Sequence, residues 1–230
     1  MSSTANDKSL FETIRKELAT AQLGDILDTL GHRHQFLPPG IAPLDASAKL
    51  IGRAMTVQEA DSLVGDSSRG PLAKKPFGLM MEALDSLQED EVYIATCGRT
   101  PGLYALWGGL MSTRAQHCKA AGAVLDGYAR DASEIEALGF RVFARGLYAQ
   151  DQGVRGKVVD YRCPIEIGDV TIHPGDLIFG DREGVLVVPR AVEAEAIEKA
   201  LQKARTESEV AVAIKDGMSA AKAFETFGVL

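Results

Sequence analysis

Four charged side chains crowd residues 124–134, VLDGYARDASE: Asp126, Arg130, Asp131 and Glu134. An arginine set against an aspartate straight after a glycine turn supplies a fixed cation beside a hard oxygen ligand. Upstream, Gly108-Gly109 opens an expected helix. The free N–H groups and positive dipole of such a terminus favour a carboxylate or phosphate. Together these groups suit a small α-keto acid chelated to Mg²⁺ or Mn²⁺, because such metals take carboxylate and water oxygens and keep open positions. The metal and Arg130 would both face the keto oxygen and stabilise it as charge builds there in an enolate. A structural reading stands beside this one. Asp131 to Glu134 is also a D-x-x-E capping box, Gly108-Gly109 serves equally as a tight turn, and Asp126-Gly127 makes an ordinary turn. Arg130 is the residue that capping leaves over.

The elements expected to position these residues alternate. Residues 10–30 read as a helix stopping at Gly31, residues 50–57 as a strand, residues 61–76 as an irregular loop and residues 77–87 as a helix. A buried strand at 92–96, a helix from Gly109 to about Ala121, a short strand at 123–125, a helix at 132–138 and a strand at 140–144 follow. After Gly153 the pattern turns to β-rich runs broken by Gly168-Asp169, Pro174-Gly175 and Gly180-Asp181, and a long helix at 191–213 closes the series. Alternating elements followed by consecutive strands predict a layered αββα-type α/β sandwich with mixed sheets, as one domain over 1–230 with C-terminal helices.

Composition bounds the partners. With 230 residues, 46% of them hydrophobic, the chain can bury one substantial core. A net charge of −7 argues against a nucleic-acid surface. Arg69, Lys74 and Lys75 are the nearest thing to a basic patch and read as a solvated loop. No run approaches the roughly 18 apolar residues of a membrane helix, and the N-terminal stretch has no apolar signal-like region. Cys97, Cys118 and Cys163 form no C-x-x-C pair, so a reduced, cytoplasmic protein without structural zinc is expected. His32 and His34 form an H-x-H with no third ligand nearby in sequence, and Trp107 reads as core or as a pocket wall.

Gly109, twenty residues, Arg130-Asp131, two more and Glu134 match the G-x20-R-D-x2-E/D signature, and the chain resembles the 4-hydroxy-4-methyl-2-oxoglutarate aldolase family, which also contains the regulators of ribonuclease activity A. Segments 25–31 (DILDTLG), 50–57 (LIGRAMTV), 122–131 (GAVLDGYARD) and 180–189 (GDREGVLVVP) resemble family segments in order, so the likeness covers about 15–217 and leaves 218–230 as a tail. The resemblance implies a class II, divalent-metal lyase that cleaves or decarboxylates a 4-hydroxy-2-oxo acid or oxaloacetate through a pyruvate enolate. It implies Asp131 as the Mg²⁺ or Mn²⁺ ligand, Arg130 on the keto oxygen, the amides of Gly109, Leu110 and Met111 on the substrate carboxylate, and Glu134 behind them. It also implies a homotrimer or hexamer in which an acid of a neighbouring chain, Glu207 or Glu209, helps order water. Leu110 departs from the family, where that position is often acidic. The rival implication is a non-catalytic, protein-binding regulator of a ribonuclease. A nucleotide-binding glycine fingerprint, which a methyltransferase would want, is not seen.

Overall fold

The computed structural model of the protein describes residues 4–62, 71–98, 102 and 104–229. Its contacts divide into two compact units, residues 1–33 with 191–230, and residues 34–190.

The first unit is helical. It comprises α1 (Thr4–Glu17), α2 (Thr20–Thr29), α6 (Glu193–Lys215) and α7 (Ala220–Phe227). The single helix expected at 10–30 is two helices. Ala19 is extended (φ −111°, ψ 158°) and its N–H donates to Gln22 Oε1 at 3.0 Å, so a new helix starts there. The Gln22 side chain also donates to Glu207 Oε2 at 2.7 Å on α6. Leu23 and Leu27 of α2 and Ala196, Ala200 and Ala204 of α6 are buried, the small residues of α6 standing four apart along one face.

The second unit is a mixed α/β structure. Its main sheet contains β1 (Ala42–Pro43), β2 (Leu50–Asp61), β3 (Glu91–Thr96), β5 (Gly122–Leu125), β7 (Val142–Ala144), β9 (Gly156–Tyr161), β12 (Leu177–Asp181) and β13 (Gly184–Val188). The order is β1-β7-β5-β3-β2-β12-β13. The run β2-β3-β5-β7 is parallel and the flanking pairs are antiparallel. Strand β2 is long enough to pair β12 through residues 50–53 and β9 through residues 57–61. Buried on both faces, β3 and β5 read as unbroken apolar runs, as parallel strands do. The mixed sheet is the one expected.

A second, three-stranded parallel sheet joins β4 (Ala105–Trp107), β6 (Tyr128–Ala129) and β8 (Gly146–Leu147) in that order. A hairpin of β10 (Ile165–Ile167) and β11 (Val170–Ile172) turns at Gly168-Asp169, as the sequence suggests. The remaining helices are α3 (Met80–Asp85), α4 (Gly109–His117) and α5 (Ala132–Leu138).

Two helices are shorter than expected. Gly78 takes φ +65° and lies so close to the Val158 carbonyl that a Cβ there would overlap it, so the helix starts only at Met80. Lys119, at φ +60°, leaves helical geometry after α4, and Gly122 is a strand residue. Of the expected 61–76 loop, residues 63–70, with Arg69, lie outside the described residues.

Candidate active site

The four charged residues of the opening stretch separate. Asp126, at the end of β5, is buried, and its Oδ1 accepts from Arg145 Nε at 2.6 Å. That pair ties the turn after β5 to the segment joining β7 and β8, and it is structural. Arg130, Asp131 and Glu134 point elsewhere, at the N-terminus of α4.

The three-stranded sheet sets this up. Trp107 in β4 and Ala129 in β6 are parallel partners, and the Arg130 N–H donates to the Trp107 carbonyl at 3.0 Å. The β4 strand therefore delivers Gly108-Gly109 beside Arg130-Asp131. The first helical bond of α4 runs from Ser112 N–H to the Gly108 carbonyl at 3.0 Å, so the N–H groups of Gly109, Leu110 and Met111 have no acceptor within their own helix. Trp107 Nε1 donates to Ser112 Oγ at 2.7 Å, which pins the strand to the helix.

Asp131 does not cap α5 with its side chain. It precedes α5 with φ +60° and ψ +39°, left-handed values that non-glycine residues rarely take and that aspartate tolerates better than most. Its side chain makes no capping hydrogen bond to α5. Oδ2 instead accepts the Gly109 N–H at 3.1 Å, across the junction with α4. The strained backbone turns the carboxylate away from its own helix and towards the other one. Arg130 Nε lies 3.6 Å from the same Oδ2, and both side chains are a little under two-fifths exposed, open to a small solute.

The two glycines are required by contact. A Cβ at Gly108 would come within 2.7 Å of Asp131 Oδ2, and one at Gly109 would overlap Glu134 Oε2. The Glu134 carboxylate thus fills the space a side chain at 109 would occupy. Gly109, Leu110, Met111, Arg130, Asp131 and Glu134 all meet here, with one difference from expectation: the Gly109 N–H is donated to Asp131 rather than left free.

Asp151 is the participant that sequence reasoning missed. Its Oδ1 lies 2.9 Å from Arg130 Nη1, and its Oδ2 accepts from Gly153 N–H at 2.7 Å. The D-x-G turn was visible, but nothing in it signals a partner some twenty residues upstream. Arg130, Asp131 and Asp151 border a cavity of about 210 Å³ whose other walls include Phe77, Met80, Trp107, Leu110 and Met111.

Glu207 and Glu209 lie on α6 in the helical unit. Glu207 faces Gln22 and Lys203 (Nζ–Oε1 3.5 Å), and Glu209 is exposed. Away from the cavity lining, Glu59 of β2 is 1% exposed, and burial, reinforced by the nearby Asp61 charge, pushes its carboxyl from the ordinary 4.5 up to about 8 against a partly offsetting hydrogen bond from Tyr104.

Among the described residues no three His, Cys, Asp or Glu side chains form a group suited to holding a metal, so no closed protein cage is formed. Asp131 and Glu134 flanking Gly109 are a donor set of another kind. It fits a hard divalent cation that keeps its waters and is held through one or two carboxylates plus the substrate.

The RraA-like family, described as Aldolase/RraA, matches residues 20–187. The chain belongs to this family. A protein of Halalkalibacterium halodurans named "Putative 4-hydroxy-4-methyl-2-oxoglutarate aldolase" is 30% identical over 214 residues, 93% of either chain. Protein DlpA of Legionella pneumophila is also 30% identical, over 90% of this chain, which spans about a third (32%) of DlpA's length. The crystal structure of Streptomyces coelicolor RraAS2, described as an unusual member of the RNase ES inhibitor RraA protein family, superposes with a TM-score of 0.76 over 87% of this chain at 23% identity and bears on the fold. Among the described residues no helix is long and apolar enough to cross a membrane.

Proposed function

We propose that the protein is a divalent-metal-dependent carbon–carbon lyase releasing pyruvate from a 4-hydroxy-2-oxo acid or from oxaloacetate. The observation that carries this reading is the Asp131 carboxylate, held by a left-handed backbone on the N-terminus of α4 and beside Arg130. A cap would have kept that carboxylate on α5.

In this reading the substrate carboxylate is held by the Leu110 and Met111 N–H groups and by the helix dipole. The Arg130 guanidinium donates to the keto oxygen, and Asp151 fixes the guanidinium's orientation from its far side. Asp131, with Glu134 behind it, would hold Mg²⁺ or Mn²⁺. When bound, the cation supplies Lewis-acid polarisation of the keto group. As the C3–C4 bond breaks, its electron pair moves into the enolate, the 4-hydroxyl proton passes to solvent water, and C4 leaves as an aldehyde or ketone. With oxaloacetate, CO2 leaves instead. The charge that accumulates on the keto oxygen is met by Arg130, whose interaction strengthens towards the transition state. Protonation of C3 by solvent water then yields pyruvate. The apolar walls of Trp107, Met80 and Phe77 keep water from diluting these interactions.

The name carried by the H. halodurans relative supports a lyase. The RraA half of the family description supports the alternative, a protein-binding regulator of a ribonuclease in which Asp131 has no catalytic part. We also propose a homo-oligomer, a trimer or hexamer, acting in the cytoplasm, with Glu207 or Glu209 serving a neighbouring copy. The test is pyruvate release from a panel of 4-hydroxy-2-oxo acids and oxaloacetate with Mg²⁺, Mn²⁺ or EDTA. Metal-dependent release supports the enzyme, and no release from any substrate under any condition overturns it.

A further inference from the structure

Most polar side chains bordering the cavity beside Arg130 have partners. Arg130 lies against Asp131 and Asp151, Asp131 accepts the Gly109 N–H, and Trp107 Nε1 donates to Ser112. Gln152 differs. It borders the same cavity and is 5% exposed, and its Nε2 has no hydrogen-bond partner among the described residues. Two other buried side-chain atoms share that state there, Gln35 Oε1 and Glu59 Oε1, but both are oxygens on residues outside the cavity lining. A buried donor without an acceptor has lost its hydration and gained nothing in exchange, so it calls for an explanation.

The backbone holds Gln152 where it is. Its carbonyl accepts from the Arg155 N–H at 2.6 Å and from the Gly156 N–H at 3.1 Å. Arg155 Nη1 donates to the Asp151 carbonyl at 3.0 Å. The turn that orients the Arg130 guanidinium through Asp151 therefore also fixes the next residue at the cavity wall.

The chemistry of the reaction has a place for such a donor. In the proposed mechanism the pyruvoyl carboxylate goes to the Leu110 and Met111 N–H groups and the keto oxygen to Arg130, which leaves the oxygen on C4 without a contact. During aldol cleavage the 4-hydroxyl loses its proton to water, and O4 carries alkoxide character until the new carbonyl forms. An N–H donor binds that state better than it binds the neutral hydroxyl. A primary amide suits the task, since it donates without ionising and adds no charge beside Asp131 and Asp151.

We propose that Gln152 is the contact for the C4 oxygen of the substrate, donating from Nε2 to O4, and that it biases the site towards aldol cleavage over decarboxylation. This rests on the proposed function, which supplies the pyruvoyl anchor. In oxaloacetate C4 is a carboxylate whose charge leaves with CO2, so a donor there holds the ground state and gives the transition state no help.

The experiment compares the natural protein with Gln152→Met, an apolar side chain of similar length, and with Gln152→Glu. Pyruvate release is measured with Mg²⁺ from 4-hydroxy-4-methyl-2-oxoglutarate and from oxaloacetate. Losing one donor to a developing oxyanion typically costs roughly 10²–10³ in turnover, so in both variants the ratio of aldol cleavage to decarboxylation should fall by tenfold or more. The melting temperature of Gln152→Met should not fall, because the donor removed has no partner. Pyruvate, which has no C4, should bind Gln152→Met as it binds the natural protein, read by the fluorescence of Trp107, the sole tryptophan. If both activities fall by one factor, if neither moves, or if Gln152→Met is less stable or binds pyruvate tenfold more weakly, Gln152 serves the fold or the anchor and the inference is overturned while the lyase reading stands. Natural protein that decarboxylates oxaloacetate but cleaves no 4-hydroxy acid overturns it in the same way. Natural protein that acts on neither overturns the inference and the lyase reading together.

Discussion

Gly109→Ala isolates the geometry that makes this a site. The added methyl needs the space of Glu134 Oε2, and the Glu134 Cβ lies 3.1 Å from the same point. Glu134 is exposed, so its carboxylate can swing out for a rotamer cost of about 0.5–1.5 kcal/mol. Against that, alanine improves on glycine in a helix by up to about 1 kcal/mol. The two terms nearly cancel, and the melting temperature should move by no more than about 2–4 °C. Activity should behave differently. Displacing a carboxylate that supports a metal ligand typically costs about 10–100-fold, so pyruvate release should fall by that much in a well-folded protein. Glu134→Gln should fall by a similar factor, and the double variant little further, because both changes remove one group. Near-normal turnover in Gly109→Ala would refute the reasoning. Loss in Gly109→Ala with full activity in Glu134→Gln would mean that position 109 must lack a side chain for a reason other than the Glu134 carboxylate.

Three further outcomes are expected. Arg130→Lys should fold and bind Mn²⁺ but lose roughly 10²–10³ in turnover, since an ammonium cannot reproduce the planar fork between Asp151 and the keto oxygen; steady-state kinetics beside a melting curve decides it. Asp126→Asn leaves the Arg145 guanidinium without its buried counter-charge and should cost about 3–5 kcal/mol, read by denaturant titration. Glu59, protonated in the fold up to about pH 8 but ionising near 4.5 when unfolded, gives stability that is fully present below pH 4.5 and lost as pH rises through 8. The melting temperature should therefore fall between pH 6 and 9 in the natural protein and less so in Glu59→Gln; parallel curves would count against the buried acid.

What the sequence revealed depended on the length of each signal. The strand at 122–125, its turn and the helix at 132–138 were legible because glycine and acidic caps bracket apolar runs. The sheet of β4, β6 and β8 was not, since strands of two or three residues carry no measurable period, yet it places Arg130 against Trp107. The signature spacing gave the identities of Gly109, Arg130, Asp131 and Glu134, but not why they meet. Whether the Asp131 side chain caps its own helix was undecidable from D-x-x-E alone, because the deciding quantity is a positive φ that the residue type permits without requiring. Asp151 was hidden for a related reason: a D-x-G turn reads as local, and its second carboxylate oxygen is free to reach a distant arginine. The break at Ala19 likewise came from a side chain, Gln22, folding back, in a segment whose apolar spacing alone continues a helix.

The most direct test of the central claim is calorimetric titration of Mn²⁺ into the natural protein and into Asp131→Asn, with pyruvate release measured on the same samples. Asparagine tolerates the left-handed backbone at 131 and can still accept the Gly109 N–H, so the fold should persist with a melting temperature close to that of the natural protein. The account predicts that the natural protein binds Mn²⁺ and releases pyruvate only when metal is present, and that Asp131→Asn loses both together. Undiminished Mn²⁺ affinity in a folded Asp131→Asn would contradict it.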